Sequence, residues 1–342
     1  MKNNSIINLL KSLSDKKYIT EIMINDINKV FVENKGQIIQ IKSDLTKDDI
    51  DNFVKYVYKL NLKEFDDSPI LDGSLDDGSR INIVRQPFVK DSPVITIRKY
   101  IRKINKFNTS EKYFGIDENW LKFIRSIVRS RKNIIVAGGT GVGKTTFLNS
   151  LLNEIEISER IITIEDTFEL DVSLPNIVNL ESGKKSLDQQ YDISTSDLIK
   201  STLRMRPDRI IVGESRGGEL FDLLQAMNTG HTGSMSSIHS NSSRDTLSRM
   251  ENLFLMSGYP LENKVVRGII ANAINFIIYL NKDEDSNRIV ESIIEITGME
   301  GVNILSQQIA LFENKELIKT GLVPECINDL VSKGNLNRDF FG

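Results

Sequence analysis

Cysteine, tryptophan and histidine are scarce in this 342-residue chain, which contains one, one and two of them. A single cysteine, Cys326, cannot form a disulfide within the chain, so nothing indicates an oxidising compartment. The two histidines, His231 and His239, lack a third histidine to complete a zinc site, and an extended chain would separate their rings by roughly 26 Å. The sequence therefore argues against a metal site built on the histidines.

Long apolar runs and an excess of basic residues are also missing. The longest apolar tract, 269–280, is interrupted by asparagine and is too short to cross a bilayer. The amino-terminal residues contain no apolar core followed by a small-residue cleavage site, so we expect no secretory signal here. The 44 Lys and Arg residues nearly balance the 47 Asp and Glu residues, which argues against a protein that binds nucleic acid mainly through charge. We therefore expect a cytoplasmic protein.

The composition that is present, 39% hydrophobic and 27% charged residues, is that of a soluble globular protein, and the length suggests two domains. Up to about residue 100, strand-like runs alternate with turns, and an amphipathic helix is predicted after Thr46. Later residues alternate between helices and short apolar strands, which is typical of a parallel sheet covered on both faces. The sequence thus predicts an α/β protein with an N-terminal α/β domain at 1–104, a polar linker at 105–116 and a second domain at 117–342.

A phosphate-binding loop is the most specific motif in the second domain. An apolar strand precedes the sequence GGTGVGKTT, and apolar residues then recur at helical spacing up to Ile155. The glycines allow backbone N–H groups to converge on phosphate oxygens, and the helix N-terminus adds partial positive charge. We expect Lys144 to reach the β- and γ-phosphates and Thr145 to bind magnesium. The predicted residues for binding a nucleoside triphosphate are Gly138, Gly139, Thr140, Gly141, Val142, Gly143, Lys144, Thr145 and Thr146.

Two further apolar runs in this domain end in acids, one at Glu165 and the other at Glu214. Ligands of open α/β sheets bind beyond the carboxyl ends of the strands, so we expect both acids at the edge that carries the phosphate loop. Phosphate hydrolysis needs magnesium held in place and a group that orients or deprotonates water. The two carboxylates can divide that work, whereas an isolated acid of this kind is more often a solvated turn residue.

The histidines lie around a short segment, 233–239, that resembles a fourth strand made of small residues. His239 would then end this strand at the same edge, where it could sense or contact the γ-phosphate. His231 precedes the strand in a glycine-flanked loop and could brace that loop or a subunit interface. For both histidines the alternative is a hydrogen bond within the fold.

These motifs together resemble the Walker A, Asp-box, Walker B and His-box motifs of the secretion ATPase superfamily, the ring motors of type II and type IV secretion and type IV pili. The motifs are GGTGVGKTT, IITIEDTFEL, LRMRPDRIIVGESRGGELFDLLQAMNTGHTGS and SIHSNSSRDTLSRMENL. The branch that the chain resembles most is the Tad (Flp) pilus assembly ATPases of the CpaF/TadA type.

The resemblance implies a RecA-like P-loop ATPase domain and a homo-hexamer that binds ATP and Mg²⁺. It assigns Glu214 to the magnesium-associated Walker B acid, Glu165 to the base and His239 to the second histidine of the His box. It also implies that two first-domain arginines, Arg80 and Arg98, reach the nucleotide phosphates and offset charge in the transition state. The expected function is an ATP hydrolase that powers pilus assembly, with retraction left open, from the cytoplasmic side of the inner membrane and through a membrane platform protein.

Alternative functions remain open at this point. A type IV secretion ATPase would have the same chemistry and differ only in its partners. A RecA-like nucleic-acid translocase would be stimulated by single-stranded DNA, although the near-neutral charge speaks against nucleic acid as a partner. A nucleotide-gated binding subunit would not turn over. The carboxyl-terminal Phe340 and Phe341 fit either a docking tail or a disordered end.

Overall fold

The computed structural model describes residues 5–14, 16, 18–34, 37–61, 65, 68–99, 107, 113–183 and 193–341. Contacts divide these residues into two compact units. The first unit contains the described residues up to 99, and the second contains those from 107 onward.

The first unit is a six-stranded antiparallel sheet with helices packed on it. In chain order its elements are α1 (Ser5–Ser14), β1 (Ile19–Asp26), β2 (Lys29–Asn34), β3 (Gln37–Ile41), α2 (Lys47–Leu60), β4 (Ile70–Ser74), β5 (Arg80–Val84) and β6 (Val94–Arg98). The strands lie in the order β3-β2-β1-β6-β5-β4.

The helix predicted after Thr46 is confirmed as α2, and its start follows from local hydrogen bonding. The Asp49 N–H donates to the Thr46 hydroxyl at 3.2 Å, while the Thr46 N–H donates to the Asp49 carboxylate at 2.8 Å. This capping box satisfies two of the N–H groups that a helix start leaves without partners. Phe53 and Val57, one turn apart, are fully buried against the sheet, so this face of α2 closes the core of the first unit.

The second unit is a nine-stranded sheet with helices on both faces. In chain order its elements are α3 (Glu118–Arg129), β7 (Ile134–Gly138), α4 (Lys144–Leu152), β8 (Ile161–Glu165), β9 (Ile177–Glu181), α5 (Thr195–Thr202), β10 (Arg209–Val212), α6 (Glu219–Asn228), β11 (Met235–His239), α7 (Ser243–Leu255), α8 (Asn263–Ala273), β12 (Phe276–Lys282), β13 (Arg288–Glu300), β14 (Asn303–Glu313), β15 (Glu316–Lys319), α9 (Ile327–Ser332) and a 3₁₀ helix (Arg338–Phe341).

The strand order of the second sheet is β15-β14-β13-β12-β7-β11-β10-β8-β9. Six neighbouring strands are mutually parallel, as the sequence predicts: β12, β7, β11, β10, β8 and β9. Strands β13, β14 and β15 are antiparallel, however, so the expectation of a parallel sheet is wrong for this end of the chain. Only residues 283–287 connect β12 to β13. A parallel connection needs a crossover of a dozen or more residues, and a link this short forces a hairpin.

Two hydrophobic cores cover the two faces of this sheet. Ile134 and Val136 of β7 contribute to one core, and Ile135 and Ala137 contribute to the other, because successive side chains of a strand point to opposite faces. Helices α3, α4 and α9 pack on the first face, and α5, α6, α7 and α8 pack on the second. Since both faces of the central strands are covered, only their ends can present functional side chains to solvent.

Most of the predicted linker, 105–116, lies outside the described residues. Phe107 and 113–116 are described and pack on the second unit, where Phe114 and Ile116 are buried. The Val290 N–H donates to the Phe114 carbonyl at 2.9 Å. This part of the segment is therefore anchored to the sheet.

The carboxyl-terminal phenylalanines pack against α3, so the expectation of a disordered end is wrong, whereas the docking tail stays a prediction. The ring of Phe340 stacks on Phe123 with centroids 5.6 Å apart and meets Trp120 edge-on at 5.4 Å. Phe341 meets Phe123 edge-on at 5.5 Å. The sequence shows little periodicity here because a single 3₁₀ turn, not a full helix, delivers both rings to α3.

None of the helices in the described part of the chain combines the length and the hydropathy that crossing a lipid bilayer requires.

Candidate active site

The phosphate loop connects β7 to α4 in the predicted order of strand, loop and helix. Gly138 ends the strand at a φ of 150°, and a Cβ atom there would lie 2.5 Å from the Leu280 carbonyl oxygen of β12. Gly143, at a φ of 96°, turns the chain into α4 through the left-handed region. Because Gly143 carries no side chain that could cap α4, the first N–H groups of the helix face the loop and can bind an anion.

Lys144 begins α4, and its side chain folds back over the loop. Its Nζ donates to the carbonyl oxygens of Gly138 and Gly139, both at 3.0 Å. Burial lowers the pKa of Lys144, and the nearby Glu214 carboxylate opposes this shift. The ammonium group thus lies within electrostatic reach of one of the two predicted acids.

The phosphate loop, the histidine and the two acids lie at the ends of four adjacent strands, β7, β11, β10 and β8. Gly138 is the register partner of His239 on β11. The Ser215 N–H donates to the Ser237 carbonyl at 2.9 Å, which holds the Glu214 segment beside β11. The Gly213 N–H donates to the Ile164 carbonyl at 2.9 Å, next to Glu165. The prediction that these strand ends meet at one edge of the sheet is confirmed.

Glu165 is buried and held by the loop that follows it. Its Oε1 accepts hydrogen bonds from the backbone N–H groups of Glu169 and Leu170, each at 3.0 Å. Its side chain is 5% exposed and packs so close to Gly213 that a Cβ atom there would lie 3.1 Å from Glu165 Cγ. Residues 166–170 thus fix the carboxylate, and the glycine leaves room for it.

Glu214 is half-buried and forms an ion pair that the sequence did not suggest. Arg216 donates through Nη2 to Glu214 Oε2 at 2.7 Å and through Nη1 to Asp166 Oδ2 at 2.9 Å. Asp166 also accepts a hydrogen bond from Ser182 Oγ at 3.1 Å. Burial lowers the pKa of Arg216, but the hydrogen bond and charge of Glu214, together with Asp166, outweigh burial and the pKa is raised. The Arg216 guanidinium therefore links the ends of β10 and β8.

Sequence reasoning gave Asp166 and Arg216 no role, although each lies within two positions of a predicted residue. Asp166 directly follows Glu165, and Arg216 is two positions after Glu214. The available signal was the opposite charge of Asp166 and Arg216, which lie beside the ends of two strands that were expected to meet.

The two histidines occupy different environments. His239 is exposed at the end of β11, at the edge that carries the phosphate loop. His231 is half-buried behind α6, where both its backbone N–H and its ring Nδ1 lie 3.2 Å from the Ala226 carbonyl oxygen. Because a carbonyl only accepts, Nδ1 carries the proton in this contact. His231 thus ties its loop to the end of α6.

The predicted arginines lie in the first unit, on neighbouring strands. Arg80 begins β5 and Arg98 ends β6, and the two are register partners. Like charges at directly opposed positions of an antiparallel pair repel each other. Glu21 of β1 is the register partner of Arg98 on its other side, so an acid lies in the same row as the two cations.

Comparison with known proteins identifies the family of the chain. A profile of the family described as "Type II/IV secretion system protein" matches residues 3–293. The chain belongs to this family. The predicted membership of the secretion ATPase superfamily is thereby confirmed, whereas the Tad branch within it stays a prediction.

Relatives in this family match nearly the whole chain. The conjugal transfer protein TrbB of Rhizobium radiobacter is 31% identical over 303 residues, which cover 87% of this chain and 90% of that protein. The type IV secretion system protein VirB11 of Bartonella quintana (strain Toulouse) is 30% identical over 317 residues, which cover 82% of this chain and 88% of that protein.

A solved structure of the pilus retraction motor PilT with bound ADP has the same fold. It matches with a TM-score of 0.60 and 19% identity, covering 99% of this chain and 88% of that chain. The predicted fold class is therefore confirmed, an α/β protein with a RecA-like P-loop ATPase domain and a smaller N-terminal α/β domain.

Proposed function

We propose that this chain is an ATP hydrolase that requires magnesium. One observation carries the proposal: the phosphate loop, His239, Glu214 and Glu165 lie at the ends of four adjacent strands. A protein that only bound nucleotide would need the loop but not two acids and a histidine beside it. The chain belongs to the family described as "Type II/IV secretion system protein", and a role in a secretion machine fits a subunit that turns over.

The donor groups at this edge fit a magnesium ion. Mg²⁺ prefers oxygen ligands and is usually held by one or two carboxylates together with substrate phosphates. The Thr145 hydroxyl and the Glu214 carboxylate supply two such oxygens, and the remaining ligands would come from the nucleotide and water. Within the described residues no cluster of three or more His, Cys, Asp or Glu side chains could hold a metal without a substrate. When bound, the ion would offset charge on the β- and γ-phosphates.

The positions of the protein groups support a role for each. The N–H groups of 138–146 cradle the phosphates, and Lys144 exchanges its two loop carbonyls for the β- and γ-phosphate oxygens. Glu165, fixed by two backbone N–H groups, orients and deprotonates the attacking water. His239, exposed beside the loop, contacts the γ-phosphate. The Glu214 carboxylate would bind the magnesium ion.

Phosphate release by the purified protein tests this proposal. Lys144→Ala is expected to abolish release by weakening nucleotide binding, and Glu165→Gln is expected to retain binding but lower the rate at least about a hundredfold. Lys122→Ala and Glu156→Gln alter exposed groups elsewhere in the second unit and serve as matched controls. If the wild-type protein released no more phosphate than these two active-site variants, the chain would be a nucleotide-binding subunit without turnover.

We further propose a homo-hexamer in which Arg80 and Arg98 contact the nucleotide phosphates. Their register on β5 and β6 places two cations side by side, which supports a role in binding an anion. Arg80→Ala and Arg98→Ala should each lower the hydrolysis rate, whereas Lys59→Ala, an exposed cation on α2, should not. Light scattering with and without nucleotide measures the molar mass of the assembly. A monomer under all conditions would contradict the proposed hexamer.

The machine served by this hydrolysis is a separate question. The motifs predict a Tad pilus at the inner membrane, engaged through a membrane platform protein from the cytoplasmic side. A type IV secretion or conjugal transfer system is the second candidate, and it is favoured by two nearly full-length relatives with those names. Capture of the tagged chain from cells, followed by mass spectrometry of bound membrane proteins, distinguishes the two. Stimulation of hydrolysis by single-stranded DNA would instead support a translocase.

A further inference from the structure

We propose that Arg216 is a positioning residue that couples the metal side of the active site to the loop holding the catalytic base. Its guanidinium bridges Glu214, the proposed metal ligand, and Asp166, the residue next to Glu165. The inference rests on the proposed function, because it concerns the order in which the same site is loaded and becomes active.

The geometry makes Arg216 the connection between two strand ends. Its two terminal nitrogens reach carboxylates at 2.7 and 2.9 Å, distances typical of strong charge-assisted hydrogen bonds. The side chain remains 56% exposed and so has solvent-filled space into which it can move. Glu214 is 27% exposed and Asp166 47%, so all three groups are accessible from the open edge of the sheet.

Asp166 connects Arg216 to Glu165 through Ser182 and through the loop that follows β8. The Ser182 hydroxyl donates to Asp166, while the Ser182 N–H donates to the Glu165 carbonyl at 2.9 Å. Asp166 also opens the 166–170 loop, whose N–H groups at 169 and 170 hold the Glu165 carboxylate. A change in the Arg216–Asp166 contact therefore acts on the segment that fixes the base.

A divalent cation at Glu214 would disturb this bridge. The carboxylate oxygen that accepts from Arg216 is part of the group that must bind the ion, and a positive ion within a few ångströms repels the guanidinium. Binding of the cation thus weakens the Arg216–Glu214 contact and leaves Arg216 with Asp166. We infer that Arg216 competes with the cation for Glu214 and transmits its arrival to the 166–170 loop.

The experiment measures binding as well as turnover. A fluorescent, non-hydrolysable ATP analogue is titrated onto the full-length protein in EDTA and then at increasing MgCl₂. Arg216→Gln removes the group that competes with Mg²⁺ for Glu214. The Mg²⁺ concentration for half-maximal analogue binding should therefore fall about two- to fivefold, as expected for a partly exposed ion pair. Arg249→Gln, an exposed arginine on α7, is the matched control and should match the wild type.

Asp166→Asn separates the two halves of the bridge. It leaves the Arg216–Glu214 contact in place, so the Mg²⁺ dependence of binding should stay near that of the wild type. It breaks the link to the loop, so kcat should fall with little change in KM. Arg216→Gln should lower kcat as well, and the double variant should be no worse than Arg216→Gln alone, because both changes interrupt one connection.

The outcomes are distinguishable. If the wild-type protein binds no analogue with or without Mg²⁺, the proposed function fails and the coupling fails with it. If the wild type binds but Arg216→Gln shows an unchanged Mg²⁺ midpoint, only the coupling is overturned. Should Arg216→Gln not fold, Arg216→Lys retains the charge without the two-pronged geometry, and an unchanged midpoint and kcat in that variant would equally overturn it.

Discussion

Arg209 and Glu159 form a two-pronged ion pair at the amino-terminal end of β10, at the opposite edge of the sheet from the candidate active site. Arg209 Nη2 donates to Glu159 Oε1 at 2.7 Å and Nε donates to Oε2 at 2.8 Å. The Arg209 side chain is fully buried, and its Nη1 also donates to the Val128 carbonyl at 2.9 Å. The pair joins β10 to the end of α3 and to the segment that precedes β8.

Removing Glu159 should leave the Arg209 charge buried with no carboxylate. We expect Glu159→Ala to lower the free energy of unfolding of the second unit by about 3 kcal/mol, because breaking one side of a buried pair leaves the other charge uncompensated. Urea unfolding followed by the fluorescence of Trp120, which is buried in this unit, measures the change. Glu154→Ala breaks a more exposed pair with Arg125 and should cost less than about 1 kcal/mol. Equal losses in the two variants would contradict the assignment.

The same pair predicts how stability depends on pH. Burial raises the pKa of Glu159, but hydrogen bonds and charge from Arg209 and Arg131 outweigh burial, so the pKa lies below its usual value of 4.5. A carboxylate whose pKa is lower in the folded state stabilises the fold above the unfolded pKa. That contribution is lost as the pH falls below 4.5 and through the folded pKa. The stability difference between wild type and Glu159→Gln should therefore be constant near neutral pH and shrink in acid, and a difference that grew in acid would refute this.

Cys326 should react slowly with thiol reagents. Burial, followed by the charge and hydrogen bonding of Glu295, raises its pKa to about 12. At pH 8 the thiolate fraction is then on the order of a thousandfold below that of a free cysteine, whose pKa is about 8.5. The rate of reaction with DTNB should rise by a similar factor in urea. Glu295→Gln should speed the native reaction, whereas Glu300→Gln, an exposed acid on the same strand, should not.

Local spacing in the sequence was sufficient to predict the phosphate loop, because β7, the glycines and α4 are contiguous. It also led to Glu165, Glu214 and His239, since each ends an apolar run and parallel strands share one edge. The Arg216–Asp166 contact could not be read in this way, because it joins residues 50 positions apart whose pairing depends on the strand order. Nor does a pattern of apolar residues reveal that Arg209, which opens a strand, is fully buried.

Phe340 should contribute to the stability of the second unit, although the sequence left a docking tail or a disordered end open. The ring is half-buried between Trp120 and Lys319, whose Nζ lies 4.5 Å from the ring centroid. Phe340→Ala should lower the free energy of unfolding by about 2 kcal/mol, roughly half the loss at a fully buried site, and change the emission of Trp120. Phe88→Ala, 67% exposed in the first unit, should leave both quantities unchanged. An unaltered unfolding midpoint for Phe340→Ala would mean that the ring does not pack in solution.

Gly213 should be needed for the rate of hydrolysis and not for nucleotide binding. An alanine Cβ at this position would lie 3.1 Å from Glu165 Cγ, so one of the two must move by a few tenths of an ångström. Glu165 is held by the N–H groups of 169 and 170 and cannot shift without losing its alignment. We expect Gly213→Ala to lower kcat about tenfold, since small displacements of a catalytic group are costly, with the affinity for the non-hydrolysable analogue unchanged.

The matched control for this substitution is Gly268→Ala in α8, where the added Cβ would meet Met299 Sδ at an ordinary 3.6 Å. Alanine is also the better helix former, so this variant should be as active as the wild type and slightly more stable. Gly213→Ala with full kcat would show that Glu165 tolerates displacement and would count against its role as the base. A loss of nucleotide affinity in the same variant would instead place the damage in the phosphate loop, because the proposed role of Glu165 is toward the attacking water and not toward the bound nucleotide.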